Sequence, residues 1–151
     1  DTLARLQPDT PAQWGSMNAQ QMVEHLRLPL YLSCGFAEVK PHFDAEKLQR
    51  NYQASIVERR QIPRNIKFKD GFIAEPQPLE YPNLAAAIAG VREAIDAFFE
   101  RFADADDQKN LRTMHPILGL LSYEDWLYFH CKHLWHHCIQ FALLPDEAQY
   151  H

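Results

Sequence analysis

Asn83-Leu84-Ala-Ala-Ala-Ile88-Ala-Gly-Val91-Arg-Glu-Ala-Ile95-Asp-Ala-Phe98-Phe-Glu-Arg-Phe102 is the stretch that decides the fold class. Its apolar residues Leu84, Ile88, Val91, Ile95, Phe98 and Phe102 recur at spacings of 4, 3, 4, 3 and 4. That period belongs to an α-helix with one continuous apolar seam. Asn83 stands where an N-cap belongs. A helix of this kind must bury its seam against other helices or a sheet, so the rest of the chain is read for partners.

Downstream, Asp104 to Lys109 reads as a charged, solvated break. A further long helix starts at Ser122, where Asp125 completes a capping-box pattern. It runs to Phe141 or Leu144, and Pro145 ends it. Upstream, residues 62–82 form a long connection carrying Pro63, Pro76, Pro78, Pro82 and Gly71. A loop of about 20 residues often lies near a site or covers a core. It holds Ile66, Phe68, Phe72 and Ile73, and a short strand pair there is weakly signalled. Before it, Leu48, Tyr52 and Ile56 mark a helix from Asp44 to about Gln61, with Pro63 as its stop. The first long helix is capped by Asn18, with Gln21 three residues on. Met22, His25, Leu26 and Leu30 share its apolar side, and Pro29 should kink it or end it before Gly35. A lead-in from Leu3 to Ser16 contains Pro8, Pro11, Trp14 and Gly15. The expected fold is an all-α four-helix bundle, one domain over residues 1–151, with a long connection between helices two and three.

Composition narrows the function. The chain of 151 residues is 46% hydrophobic and 23% charged, enough apolar material for a core. A net charge of −5 gives no basic footprint for nucleic acid or an anionic membrane. The longest small-apolar run, Leu84 to Val91, is too short to span a bilayer. Cys34, Cys131 and Cys138 lack disulfide spacing and read as free thiols of a reducing, cytoplasmic compartment.

Histidine is in excess: 8 in the chain, four of them between His130 and His137. On a helix, Trp126, His130, His133 and His137 share a face about 60° wide. Phe129, Leu134 and Phe141 flank it, so the face is apolar. Unpartnered buried imidazoles are costly. His133 and His137, at i and i+4, have Cβ atoms about 5–6 Å apart and can converge on one ion. Leu134 follows His133, so the glutamate of an H-E-x-x-H protease is missing. His25, on the apolar side of the first helix, is the natural third ligand. Three histidines leave one position open, the arrangement of a catalytic site. His136 offers an i,i+3 alternative with His133, and His130 reads either as a proton shuttle or as a packed core histidine. Gln140 and Tyr128 are neighbours without a firm role. Three imidazoles do not settle the metal: zinc or nickel suits them best, and iron or manganese also fits.

The segment His133-Leu-Trp-His136-His137-Cys-Ile-Gln140 resembles the H-x-x-H-H-x-x-Q signature of the DinB-like (YfiT-like) metalloenzyme superfamily. Asn18-Ala-Gln-Gln-Met-Val-Glu-His25-Leu is similar to the segment that supplies the first histidine there. The lead-in Pro8-Asp-Thr-Pro-Ala-Gln-Trp14-Gly and the stretch His115 to Trp126 resemble a branch of unknown function. The resemblance implies a four-helix bundle, a divalent metal held by His25, His133 and His137, and a homodimer. It also implies a small-molecule substrate: relatives join a low-molecular-weight thiol to an electrophile or hydrolyse thiol conjugates. Transferase-like members carry an arginine after the paired histidines, where this chain has Cys138. The competing expectations are a non-catalytic metal-binding or dimerising module, and a carrier of apolar ligands covered by the 62–82 connection.

Overall fold

In a computed structural model of the chain, the structure describes residues 2–66 and 77–146. The fold is mostly helical. After a 3-10 turn at Thr2–Arg5 come α1 (Ala19–Ser33), α2 (Ala45–Tyr52), α3 (Leu84–Arg101), α4 (Ala105–Asn110) and α5 (Tyr123–Gln140). Two short strands, β1 (Thr113–His115) and β2 (Gly119–Leu121), precede α5. Among the described residues, no helix is long and apolar enough to cross a membrane.

Local chemistry sets the helix ends. Asn18 accepts from the Gln21 backbone N–H while Gln21 reaches back to Asn18, a complete capping box on α1. Ser122 and Asp125 do the same for α5. Pro29 lies inside α1 but does not stop it. It has no N–H for the carbonyl four residues back, that of His25. The helix ends where Gly35 takes a φ of 73°.

α1 packs against both α3 and α5, and the core lies between them. Met22, Val23 and Leu26 meet Leu84, Ile88, Val91 and Phe98, with Trp126 and Cys138 completing the cluster. Close approach is built in at Gly90, where an added Cβ would lie 2.2 Å from the Tyr81 hydroxyl.

Two sequence expectations are corrected. The second helix stops short of Gln61. It passes into a π-helical turn, Gln53–Val57, closed by the Glu58 N–H bonding to the Gln53 carbonyl at 2.9 Å. Arg59 then takes a left-handed φ of 54°, which leaves the helix axis before Pro63 is reached. Asp104 to Lys109 is not a break. Asp104 accepts from the Asp106 and Asp107 N–H groups and caps the short helix α4. A hairpin that the sequence did not signal, β1–β2, pairs Thr113 with Leu121 and His115 with Gly119, while the strand pair weakly signalled within 62–82 falls largely on residues outside those described. Residues 67–76 of the long connection, including Phe68, Phe72 and Ile73, lie outside the described residues. Cys34 and Cys138 are buried and Cys131 half-buried, all as free thiols.

Candidate metal centre

α1 and α5 cross so that three imidazoles meet. The Nε2 of His25 lies 3.0 Å from that of His133, and the Nε2 of His137 lies 3.0 Å from the same atom. The ring centroids are 4.6 to 5.0 Å apart, with interplanar angles of 74° to 76°. Rings crossed this way aim their edges, not their faces, at a common point. Nitrogens about 2.0–2.1 Å from a tetrahedral metal stand roughly 3.4 Å from each other, close to the spacing seen here. The three histidines form a group able to hold a metal ion, the one such group among the described residues.

Gln140 sets the orientation. Its side-chain amide donates to the Trp14 carbonyl at 2.7 Å. The amide oxygen is therefore the atom facing His137, 2.6 Å from Nδ1. An oxygen can only accept, so His137 carries its proton on Nδ1 and presents a lone pair at Nε2. The lead-in closes over this contact. Gln13 N–H donates to the Gln140 carbonyl at 2.8 Å, and Gly15, at φ 80°, leaves only 2.9 Å between a would-be Cβ and the Gln140 amide nitrogen. Sequence reading gave Gln140 no role. The signal was present as a buried polar residue three positions after His137, on the same helix face.

Electrostatics favours neutral rings. Burial pulls His137 down to about 3, helped by His25 and His136 and opposed by the Gln140 hydrogen bond. Burial, with His137 and His25 beside it, holds His133 well below the usual range, and burial lowers His25. Neutral imidazole is the form that ligates. Without an ion, three nitrogens share at most a single proton bond through His133. A cation would satisfy all three lone pairs at once, so the donor set fits a divalent metal.

The other histidines are elsewhere. His130 turns to α1: its Nε2 lies 3.0 Å from Ser33 Oγ, and that hydroxyl already donates to the Leu30 carbonyl at 2.7 Å. His130 is thus the donor, stacked on Trp126 at 20° with Phe98 edge-on. It reads as a packed core histidine, its Nε2 engaged by Ser33 and its ring enclosed by Trp126 and Phe98. Burial takes it to about 3, with His115 adding to the effect. His115 is buried at the hairpin, where its Nδ1 accepts from Ile117 and Leu118 N–H. His136 sits outside the three-ring group and packs edge-on against Trp14, 5.5 Å between centroids. Burial, with Arg64, His25 and Lys132 nearby, lowers it to about 4. His42 is half-buried against Phe43, and His151 lies outside the described residues.

One residue escaped sequence reading altogether. Lys132 is 2% exposed. Its Nζ donates to the Ser55 carbonyl at 2.8 Å and lies 3.2 Å from Ser55 Oγ, on the π-helical turn. Burial lowers its pKa to about 8. Tyr128, one turn earlier, carries Lys132 Nζ 5.5 Å and Arg59 Cζ 5.1 Å from its ring centroid.

No curated protein and no solved structure matches the chain. The family model of the DinB superfamily matches residues 3–141, a span that contains all three rings of the centre and Gln140. The chain belongs to the DinB superfamily.

Proposed function

We propose that this protein is a divalent-metal protein of the YfiT-like kind, built on a four-helix bundle, in which His25, His133 and His137 hold the ion. The observation that carries the reading is the convergence of three Nε2 atoms, with neighbouring pairs 3.0 Å apart. Two of the rings are buried, and one is fixed in its ligating tautomer by Gln140. Zinc or nickel is the proposed metal, since borderline ions suit imidazole.

The proposed activity is transfer of a small thiol to an electrophile, or hydrolysis of a thiol conjugate. When bound, the ion supplies Lewis acidity at an open position and brings the pKa of a thiol or water towards neutrality. The chain's own residues do the rest. His25 enters from α1 and the pair from α5, so the centre forms only when the two helices pack. Phe129 stacks on His133 at 24° and keeps one flank dry. Trp14 and Gln140 close another. A homodimer is part of the proposal. It is supported by Leu28, Tyr31 and Phe36, exposed apolar side chains on and just after α1, and light scattering tests it.

The deciding experiment is metal analysis of untagged protein. One equivalent of metal in the wild type, lost in His133→Ala, is the expected result. No metal in the wild type, with melting unchanged by added zinc or nickel, would overturn the reading. Metal-dependent conjugation of a simple electrophile by several thiols then tests the activity.

A further inference from the structure

α5 carries a second stripe beside its metal-facing one. Tyr128, Lys132 and His136 repeat at i, i+4 and i+8, so they share one face. That face meets the π-helical turn and the chain just after it. Ser55 receives Lys132, Arg59 lies over Tyr128, and Arg64 lies over Trp14, which itself meets His136. The stripe adjoins the centre directly, since the His136 ring is 5.1 Å from that of His137.

Charge along this face is unbalanced. Arg64 pairs with Asp146, and the neighbouring Arg60 pairs with Glu58. Lys132 and Arg59 have no carboxylate among the described residues, yet both lie within 5.5 Å of one phenol ring. A buried ammonium is expensive unless an anion compensates it. The Ser55 oxygens meet part of its hydrogen-bonding capacity but none of its charge. Arg59 is moreover held in a left-handed backbone conformation, at φ 54°, which a non-glycine residue adopts only where its surroundings enforce it. Two cations within 5.5 Å of one phenol ring, one of them buried, are without a counter-ion among the described residues.

We propose that Lys132 and Arg59 form an anion seat at Tyr128, beside the three histidines, and that the substrate of this centre is a small molecule bearing a carboxylate that docks there. The proposal rests on the metal reading above and names the substrate class for the same site. A carboxylate accepts from the free Lys132 proton and from the Arg59 fork, while the other end of the molecule reaches the open side of the centre. Lys132 is then a binding residue, and the π-helical turn is what brings Ser55 and Arg59 to it.

The test uses the cobalt(II)-loaded full chain and two kinds of probe. One is 2-mercaptoethanol. The other is a series of thiols with a carboxylate two, three or four carbons from sulfur. The thiolate-to-cobalt absorption band reads binding of each. The expected result is that at least one carboxylate thiol binds about tenfold tighter than mercaptoethanol, the worth of a charge-assisted contact. Lys132→Met should bring that ratio to about one, and Lys132→Arg should keep most of it. Should Lys132→Met fail to fold, Arg59→Gln serves instead, and a reduced ratio is again expected. A ratio near one in the wild type for every spacer overturns the seat, as does a ratio that neither substitution changes. A wild-type chain that binds no cobalt overturns the metal reading, an outcome distinct from a lost preference, and the seat falls with it.

Discussion

Gln140 holds His137 in place: its amide oxygen lies 2.6 Å from Nδ1 while its amide nitrogen is anchored 2.7 Å from the Trp14 carbonyl. The lead-in segment, the end of α5 and the candidate ligand are thereby one hydrogen-bonded chain. The amide cannot turn round without facing the Trp14 carbonyl with its own oxygen. Gln140→Leu should therefore weaken metal binding by about 10- to 100-fold, the usual cost of losing a group that orients a ligand. Chelator competition on the folded variant measures it, and an unchanged affinity would remove Gln140 from the site.

His130 and His133 should separate cleanly. His130 donates to Ser33 and stacks on Trp126, away from the three-ring group. Ser33→Ala leaves that buried N–H without its acceptor, at a cost of about 1–3 kcal/mol. Its melting temperature should fall while metal stoichiometry stays at the wild-type value. His133→Ala should do the reverse and abolish binding. Loss of metal in Ser33→Ala would tie His130 to the centre after all.

Acid should destabilise the fold early. Burial holds His115 and His130 at about 3 in the folded chain, against an ordinary value of 6.5. Below pH 6.5 the unfolded chain binds protons that the folded one does not. Stability is therefore fully present above pH 6.5 and is lost progressively as pH falls towards 3. By pH 5 the loss is about 2 kcal/mol for each such histidine. Urea titrations at pH 7.5 and pH 5 measure it. Equal midpoints at the two pH values would mean these rings are not held neutral.

Gly90→Ala reverses the usual helix preference. In an exposed helix the change gains up to about 1 kcal/mol. Here the new Cβ falls 2.2 Å from the Tyr81 hydroxyl and 2.5 Å from its ring. Tyr81 must leave its place against α3, and overpacking of this kind costs about 1–3 kcal/mol. A lower melting temperature is expected, with the penalty largely removed in a Tyr81→Ala background. Additive effects in that double-mutant cycle would refute the contact.

The helical class was legible from sequence because its signals are local. The Leu84 to Phe102 seam, the Asn18 and Asn83 caps and the Ser122–Asp125 box each act within a few residues, and all four stand in the structure. The spacing of His133 and His137 is local too. The family followed from the same two histidine segments. What sequence reading missed was short or non-local. Three-residue strands are too brief for an alternation to show, and the π-helical turn has no signature in residues 53–57.

Local pattern in the residues was enough to make the chain mostly helical, to put a histidine pair one turn apart on α5 and to set His25 on the apolar side of α1. Which rings meet depended on how the helices pack. His130 and His136 lie three residues from His133 in sequence, and His137 four. The crossing of α1 over α5 turns His130 to Ser33, seats His136 against Trp14 and leaves His25, His133 and His137 facing one another. The burial of Lys132 was likewise decided there. A lysine's place depends on what packs over it, and here that is a turn some 77 residues earlier in the chain.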